Sequence, residues 1–82
     1  MPSVTEIERR LRDLPADHVE VQDLTGGGDH FKAVVVSRAF EGKTRIQQHQ
    51  LVYGVLGEAM KGAIHALSLR TFTPEQWETT TG

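Results

Sequence analysis

The fold is decided by residues 18–37, "HVEVQDLTGGGDHFKAVVVS". Apolar and polar residues alternate in the first part and apolar residues dominate the last part, which predicts two strands. The run "TGGGDH" between them predicts a hairpin connection. Its glycines would let the backbone approach a ligand or partner closely, and a flexible connection is the alternative. A strand follows these glycines, whereas a phosphate-binding loop requires a helix with lysine and a hydroxyl residue.

Helical patterns lie on both sides of this hairpin. Before it, Ser3 and Glu6 fit a capping box, and the apolar residues Val4, Ile7, Leu11 and Leu14 recur at helical spacing before Pro15. After it, an apolar stripe runs from about residue 46 to Met60, with Gly62 as the expected stop. Within this main helix, Gly54 and Gly57 indicate either close packing against the sheet or a kink.

The end of the chain predicts one more strand and one more helix. Residues 64–69 form the third strand, and Thr73 with Gln76 predicts a capped helix that contains Trp77 as a packing residue. The order is helix, strand, strand, helix, strand, helix, which indicates an α+β domain with a three-stranded sheet covered by helices. We expect one domain over residues 1–78 and a short flexible tail at 79–82.

Composition excludes several classes of function. The chain has 82 residues, a formal net charge of -2 and no cysteine, so it offers neither a disulfide framework nor a thiolate ligand or nucleophile. It has no apolar run of membrane-spanning length and no secretory signal, so we expect a cytoplasmic protein without membrane contact. The carboxylates Asp23, Asp29 and Glu41 are not spaced as an acid–base pair, which favours a binding protein over an enzyme.

Four histidines are the remaining candidate nitrogen ligands, namely His18, His30, His49 and His65. His65 lies at the predicted start of the third strand, where it is either a metal ligand or a strand-end histidine hydrogen-bonded on one side. His18 precedes the first strand and is expected to be exposed. His49, at a helix start, either lines a binding surface or bonds neighbouring backbone.

Two longer stretches extend this interpretation. "HFKAVVVSRAFEGKTRIQQHQLVYGVLGEAM" and "IHALSLRTFTPEQW" resemble the BolA family over nearly the whole chain. The resemblance implies a fold akin to the class II KH domain. It also implies an adaptor that shares a [2Fe-2S] cluster with a monothiol glutaredoxin and glutathione, in iron-sulfur trafficking, iron homeostasis or redox sensing, and that binds no cluster alone.

The same resemblance implies the site residues. The histidine of the H-A-L-S motif, His65, would be one cluster ligand, and a second would come from the loop between the first two strands. The matching loop position is Gly27, which cannot bind metal, so His30 is the imidazole that could replace the missing ligand, unless it simply bonds backbone. Imidazole ligation of one iron is known from Rieske centres. The glutaredoxin surface would then include Gly27, Arg70, Thr71 and Phe72.

The alternative function is a nucleic-acid-binding module that regulates transcription by contacting DNA. Its contact residues would be Lys43, Arg45, Gln48 and His49, at the turn and start of the main helix. The G-x-x-G clamp of KH domains is not evident, and amides stand where relatives often carry basic side chains. We expect a monomer or a weak homodimer, because an exposed sheet edge could pair with a second copy.

Overall fold

A computed structural model describes residues 4–26, 30–57 and 67–81. The helices are α1 (Val4–Leu11), α2 (Arg45–Leu56) and α3 (Pro74–Thr81), the strands are β1 (Ala16–Asp23), β2 (Phe31–Ser37) and β3 (Leu67–Phe72), and a short 3-10 helix spans Arg38–Phe40. This confirms the predicted order and the α+β class. In these ranges no helix is long and apolar enough to cross a bilayer. The division between domain and tail stays a prediction.

The sheet has the order β1-β2-β3. β1 and β2 are antiparallel, with Asp23 opposite Phe31 beside the hairpin loop. β2 and β3 are parallel, with Phe31 opposite Leu67 and Val36 opposite Phe72. The hairpin loop and the starts of β2 and β3 therefore lie at one end of the sheet, while the end of β3 lies at the other.

The core lies between one face of the sheet and helices α1 and α2. Its fully buried members come from α1, β2, the 3-10 helix and α2: Ile7, Leu11, Phe31, Ala33, Val35, Phe40, Val52 and Leu56. β2 is the central strand and is buried on both faces, which explains why its sequence is almost continuously apolar rather than alternating. This packing of apolar area is the main stabilising contribution to the fold.

Helix α3 packs on the opposite face of the sheet through Trp77. The indole stacks on the ring of His18 with centroids 5.0 Å apart and lies 5.3 Å from the Phe72 ring. His18, Val36 and Phe72 are neighbours across the three strands. The expectation that His18 is exposed is therefore wrong: it is half-buried because its imidazole supports the helix that carries Trp77. The same contacts agree with the predicted packing role of Trp77.

The ends of α2 and β3 differ from the sequence prediction. Thr44 caps the start of α2 in a reciprocal capping box with Gln47, and Gly57 ends the helix at a φ of +47°. The regular helix thus ends before the expected stop at Gly62, because Gly57 adopts a positive φ. Residues 58–62 lie outside the described part of the chain. β3 starts at Leu67 and reaches Phe72, so residues 70–72 belong to the strand rather than to the turn after it.

Gly54 has no internal packing role, so the first of the two predicted explanations, close contact with the sheet, does not apply to it. A Cβ at this exposed position would have no neighbouring atom within 4 Å. We therefore expect Gly54→Ala to raise the free energy of unfolding by about 0.5–1 kcal/mol, since alanine loses less backbone entropy in a helix. Chemical denaturation measures this change. The matched variant Gly57→Ala should instead destabilise by about 1 kcal/mol because of its positive φ. A loss of stability in Gly54→Ala would contradict this interpretation.

Candidate functional site

The hairpin end of the sheet carries His30, the predicted loop ligand. The residue is exposed and directly precedes β2. Its carbonyl oxygen accepts a hydrogen bond from the Leu24 backbone N–H at 2.8 Å. On the other side of the loop, the Asp23 carboxylate accepts hydrogen bonds from the N–H groups of Thr25 and Gly26, at 3.2 and 2.9 Å. The base of the loop is therefore fixed, and the backbone of His30 is held beside it.

Two predicted site residues, His65 and Gly27, lie outside the described residues. Their described neighbours in the chain are Leu67, at the start of β3, and Gly26, which has a φ of +76°. Within 4–26, 30–57 and 67–81, no group of three or more metal-ligating side chains is arranged to hold an ion. The described hairpin end thus supplies one imidazole, His30, and the backbone to which the chain segment with His65 is joined.

The other predicted site residues lie together at the opposite end of β3. Gln48 on α2 joins the elements there: its amide nitrogen donates to the carbonyl oxygens of Phe40 and Lys43, at 3.2 and 3.0 Å. Its amide oxygen accepts a hydrogen bond from the Thr71 hydroxyl at 2.6 Å. Gln48 is only 6% exposed. It therefore holds β3 and the start of α2 together from beneath the surface, instead of presenting its amide to DNA.

A groove runs between β3 and the first turns of α2. We call it the β3–α2 groove; it has a volume of about 170 Å³ and is lined by Arg45, His49, Leu69, Arg70, Thr71 and Phe72. It thus brings together residues that the sequence assigned to two different partners. A larger cavity of about 700 Å³ adjoins it, where Lys43 and Arg45 face the start of α3 with Glu75.

The surroundings of the groove change the pKa of His49. Burial lowers the pKa of His49 below its usual value, and the neighbouring Arg45 guanidinium lowers it further. Both effects disfavour the imidazolium form. The His49 ring also packs edge-on against Tyr53, with centroids 6.3 Å apart. His49 is therefore held neutral in a positively charged region of the surface at neutral pH.

The structure separates residues 70–72 from His30, the described residue of the predicted cluster site. Leu67 and Phe72 are the two ends of β3, and five residues of strand span roughly 16 Å. Arg70, Thr71 and Phe72 are consequently distant from the hairpin end that carries His30. The sequence prediction joined the loop and residues 70–72 into one surface because it ended the strand at Leu69.

Sequence reasoning missed the internal role of Gln48, although a signal was present. Residues 48, 52 and 56 are spaced four apart, and Val52 and Leu56 are both fully buried. Side chains at this spacing share one face of a helix. A polar residue on that face must satisfy its hydrogen bonds inside the protein. The pattern therefore predicts Gln48 as a buried polar bridge, whereas Lys43, Arg45 and His49 remain on the surface.

Comparison with known proteins gives one consistent family. A family model described as "BolA-like protein" matches residues 2–76. The human protein "BolA-like protein 2" is 46% identical over 72 residues, which cover 85% of this chain and 83% of the human protein. The crystal structure of a bol-like protein from Babesia bovis superposes with a TM-score of 0.84 and 34% identity, covering 100% of this chain and 96% of that one.

A further relative carries a more specific name. The "DNA-binding transcriptional regulator BolA" of Haemophilus influenzae is 45% identical over 53 residues, which cover 65% of this chain. The match spans 52% of that protein, so about half of its length has no counterpart in the alignment. The name describes that relative, and DNA binding by this chain remains a hypothesis.

Proposed function

This chain belongs to the BolA-like protein family, and we propose that it is an adaptor that shares a [2Fe-2S] cluster with a monothiol glutaredoxin. Within the pair, the adaptor would supply imidazole nitrogen and the glutaredoxin and its glutathione would supply thiolates. The role is binding in iron-sulfur trafficking or iron sensing, without catalysis by this chain. The family resemblance suggests this partner, and the arrangement of β2 and β3 supports it.

The parallel register of β2 and β3 carries the proposal. Phe31 and Leu67 are opposite each other, and neighbouring strands are about 4.8 Å apart. His30 directly precedes Phe31, and covalent geometry keeps the Cα of His65 within about 7.6 Å of the Leu67 Cα. These restraints allow both imidazoles to approach one cluster at this end of the sheet.

The donor chemistry of the chain fits a shared cluster. The sequence contains no cysteine, and Gly27 at the family's loop-ligand position has no side chain to coordinate iron. His30 is exposed and is therefore accessible to a ligand bridging two proteins. Nitrogen ligands can hold one iron of a [2Fe-2S] cluster while thiolates hold the other. We propose His65 as the first ligand of this chain and His30 as the second.

Anaerobic cluster reconstitution tests the proposal. The chain is mixed with a monothiol glutaredoxin, glutathione, iron and sulfide, and visible circular dichroism is compared with that of the glutaredoxin alone. We expect a distinct spectrum that His65→Ala abolishes and that His49→Ala, a matched imidazole deletion outside the site, retains. An unchanged glutaredoxin spectrum in the presence of the wild-type chain would refute cluster sharing, and an unchanged mixed spectrum in His65→Ala would remove that ligand.

DNA binding is the second candidate function. It is favoured by the basic residues Lys43 and Arg45 beside the open cavity and by the name of the Haemophilus influenzae relative. The internal hydrogen bonds of Gln48 argue against direct base readout by that residue. Binding that disappears between low and physiological salt would indicate a general charge effect rather than specific recognition.

A further inference from the structure

The β3–α2 groove exposes the edge of a strand. Four consecutive residues of β3, Leu69, Arg70, Thr71 and Phe72, line it. Successive side chains of a strand point to opposite faces of the sheet, so a groove on one face alone would contact only alternate residues. The groove therefore runs along the edge of the strand rather than over one face of the sheet.

β3 is a terminal strand of the sheet within the described part of the chain. An edge strand directs half of its backbone N–H and C=O groups away from its neighbour, which leaves them available to another extended segment. This pairing contributes backbone hydrogen bonds, while side-chain pockets provide specificity. The edge of β3 is thus suited to strand addition along residues 69–72.

The charged residues that line the groove favour a negatively charged segment. Arg45 at the start of α2 and the exposed Arg70 on the strand place two positive charges in it. No carboxylate is among the described residues lining the groove, although the whole chain has a net charge of -2. The region is therefore a local positive patch that complements negative charge.

We propose that the β3–α2 groove binds an extended acidic segment of a partner protein, which adds to β3 as a further strand. Leu69, on the α2 face of β3, offers an apolar contact for aliphatic residues of such a segment, and Arg70, on the opposite face, offers positive charge for the acidic residues that alternate with them. The groove has a volume of only about 170 Å³, and the adjoining cavity contains the carboxylate of Glu75. These features favour a narrow peptide over the continuous phosphate charge of a nucleic acid.

This binding site is independent of the proposed cluster site. The groove lies toward the end of β3, whereas the proposed ligands lie before its start, and β3 spans roughly 16 Å. The test therefore uses the isolated chain without glutaredoxin, iron or glutathione. Failure of peptide binding would leave cluster sharing unaffected, and failure of cluster sharing would leave peptide binding unaffected.

The probe is a synthetic peptide of alternating glutamate and valine, titrated into isotope-labelled protein. We expect NMR shifts in the backbone amides of β3 and the first turn of α2. Arg70→Glu and Arg45→Glu should each raise the Kd for the peptide about tenfold or more. Arg12→Glu, an equal charge reversal at an exposed position after α1, should leave the Kd unchanged.

Two further probes separate strand addition from attraction of any anion. The same acidic peptide with N-methylated backbone amides keeps its charge but cannot form a ladder of hydrogen bonds, so we expect it to bind much more weakly. A duplex DNA serves as the competing polyanion. Equal binding of the methylated peptide, or binding of the DNA without binding of the peptide, would overturn the proposal.

Discussion

Gln48→Leu is expected to lower the free energy of unfolding by about 2–3 kcal/mol, although leucine nearly preserves the side-chain volume. The wild-type amide satisfies the carbonyl oxygens of Phe40 and Lys43 and accepts a hydrogen bond from Thr71. Leucine would remove the hydrogen bond of the half-buried Thr71 hydroxyl and one of the two that the Phe40 carbonyl oxygen accepts, since that oxygen also accepts from the Lys43 backbone N–H. The penalty arises from these lost hydrogen bonds rather than from lost apolar packing. Urea denaturation with a circular dichroism readout measures it.

A second helix position provides the control for this prediction. Gln50 is exposed on the same helix, so Gln50→Leu should change the stability by less than about 0.5 kcal/mol. The hydrogen bond to β3 can be isolated by combining Gln48→Leu with Thr71→Val. Because the double variant removes both partners, its loss should be smaller than the sum of the two single losses by about 1 kcal/mol. Strict additivity would indicate that the 2.6 Å contact contributes no coupling energy.

The same glutamine links stability to the proposed peptide groove. Its bonds fix Thr71, which lines the groove, relative to the start of α2, which carries Arg45 on the opposite wall. Loss of this bridge would let the two walls move relative to each other. A buried polar network can thus contribute to recognition without contacting the partner, since it maintains the geometry of the groups that do.

Local sequence signals predicted the elements whose causes are local. The alternation of residues 18–23 and the glycines after them suffice for the β1–β2 hairpin. The Thr73–Gln76 capping box identifies the start of α3, and both of its hydrogen bonds are present, at 2.9 and 3.2 Å. Capping and alternation depend on a few neighbouring residues, so they can be recognised without knowledge of tertiary structure.

Features that depend on distant contacts were predicted less well. The apolar stripe of α2 suggested a longer helix because a periodic pattern does not reveal that Gly57 adopts a positive φ. His18 lies near the start of β1 in an ordinary polar context, and only its contact with Trp77, far along the chain, makes it a packing residue. The position of β3 depends on its pairing with β2, so residues 70–72 were separated from the strand to which they belong.

The candidate site likewise combines features that local sequence predicts with features that depend on tertiary structure. The resemblance identified His65 and the loop, but residue spacing alone gave no relation between the hairpin and β3. That relation comes from the parallel register of Phe31 with Leu67, which is a tertiary property. The β3–α2 groove likewise unites residues far apart in the chain, and its positive charge depends on the tertiary structure that places Arg45 and Arg70 in one groove.

Acidification is expected to dissociate the mixed cluster complex steeply, and this rests on the proposed function. An imidazole must be neutral to bind iron, and an imidazole in water titrates at a pKa of about 6.5. Between about pH 8 and pH 5.5, proton competition should therefore lower the affinity about tenfold for each imidazole ligand. Two such ligands predict a loss of about a hundredfold, measured as the midpoint of complex formation by visible circular dichroism.

The size of this loss of affinity indicates how many imidazole ligands this chain supplies. The glutaredoxin cluster alone, titrated over the same pH range, gives the share that belongs to thiolates and glutathione and is subtracted. A remaining loss near a hundredfold supports both His65 and His30, whereas a loss near tenfold that is unchanged in His30→Ala would remove His30 from the site. A cluster complex indifferent to pH would contradict imidazole ligation, because no nitrogen ligand of this kind escapes competition with protons.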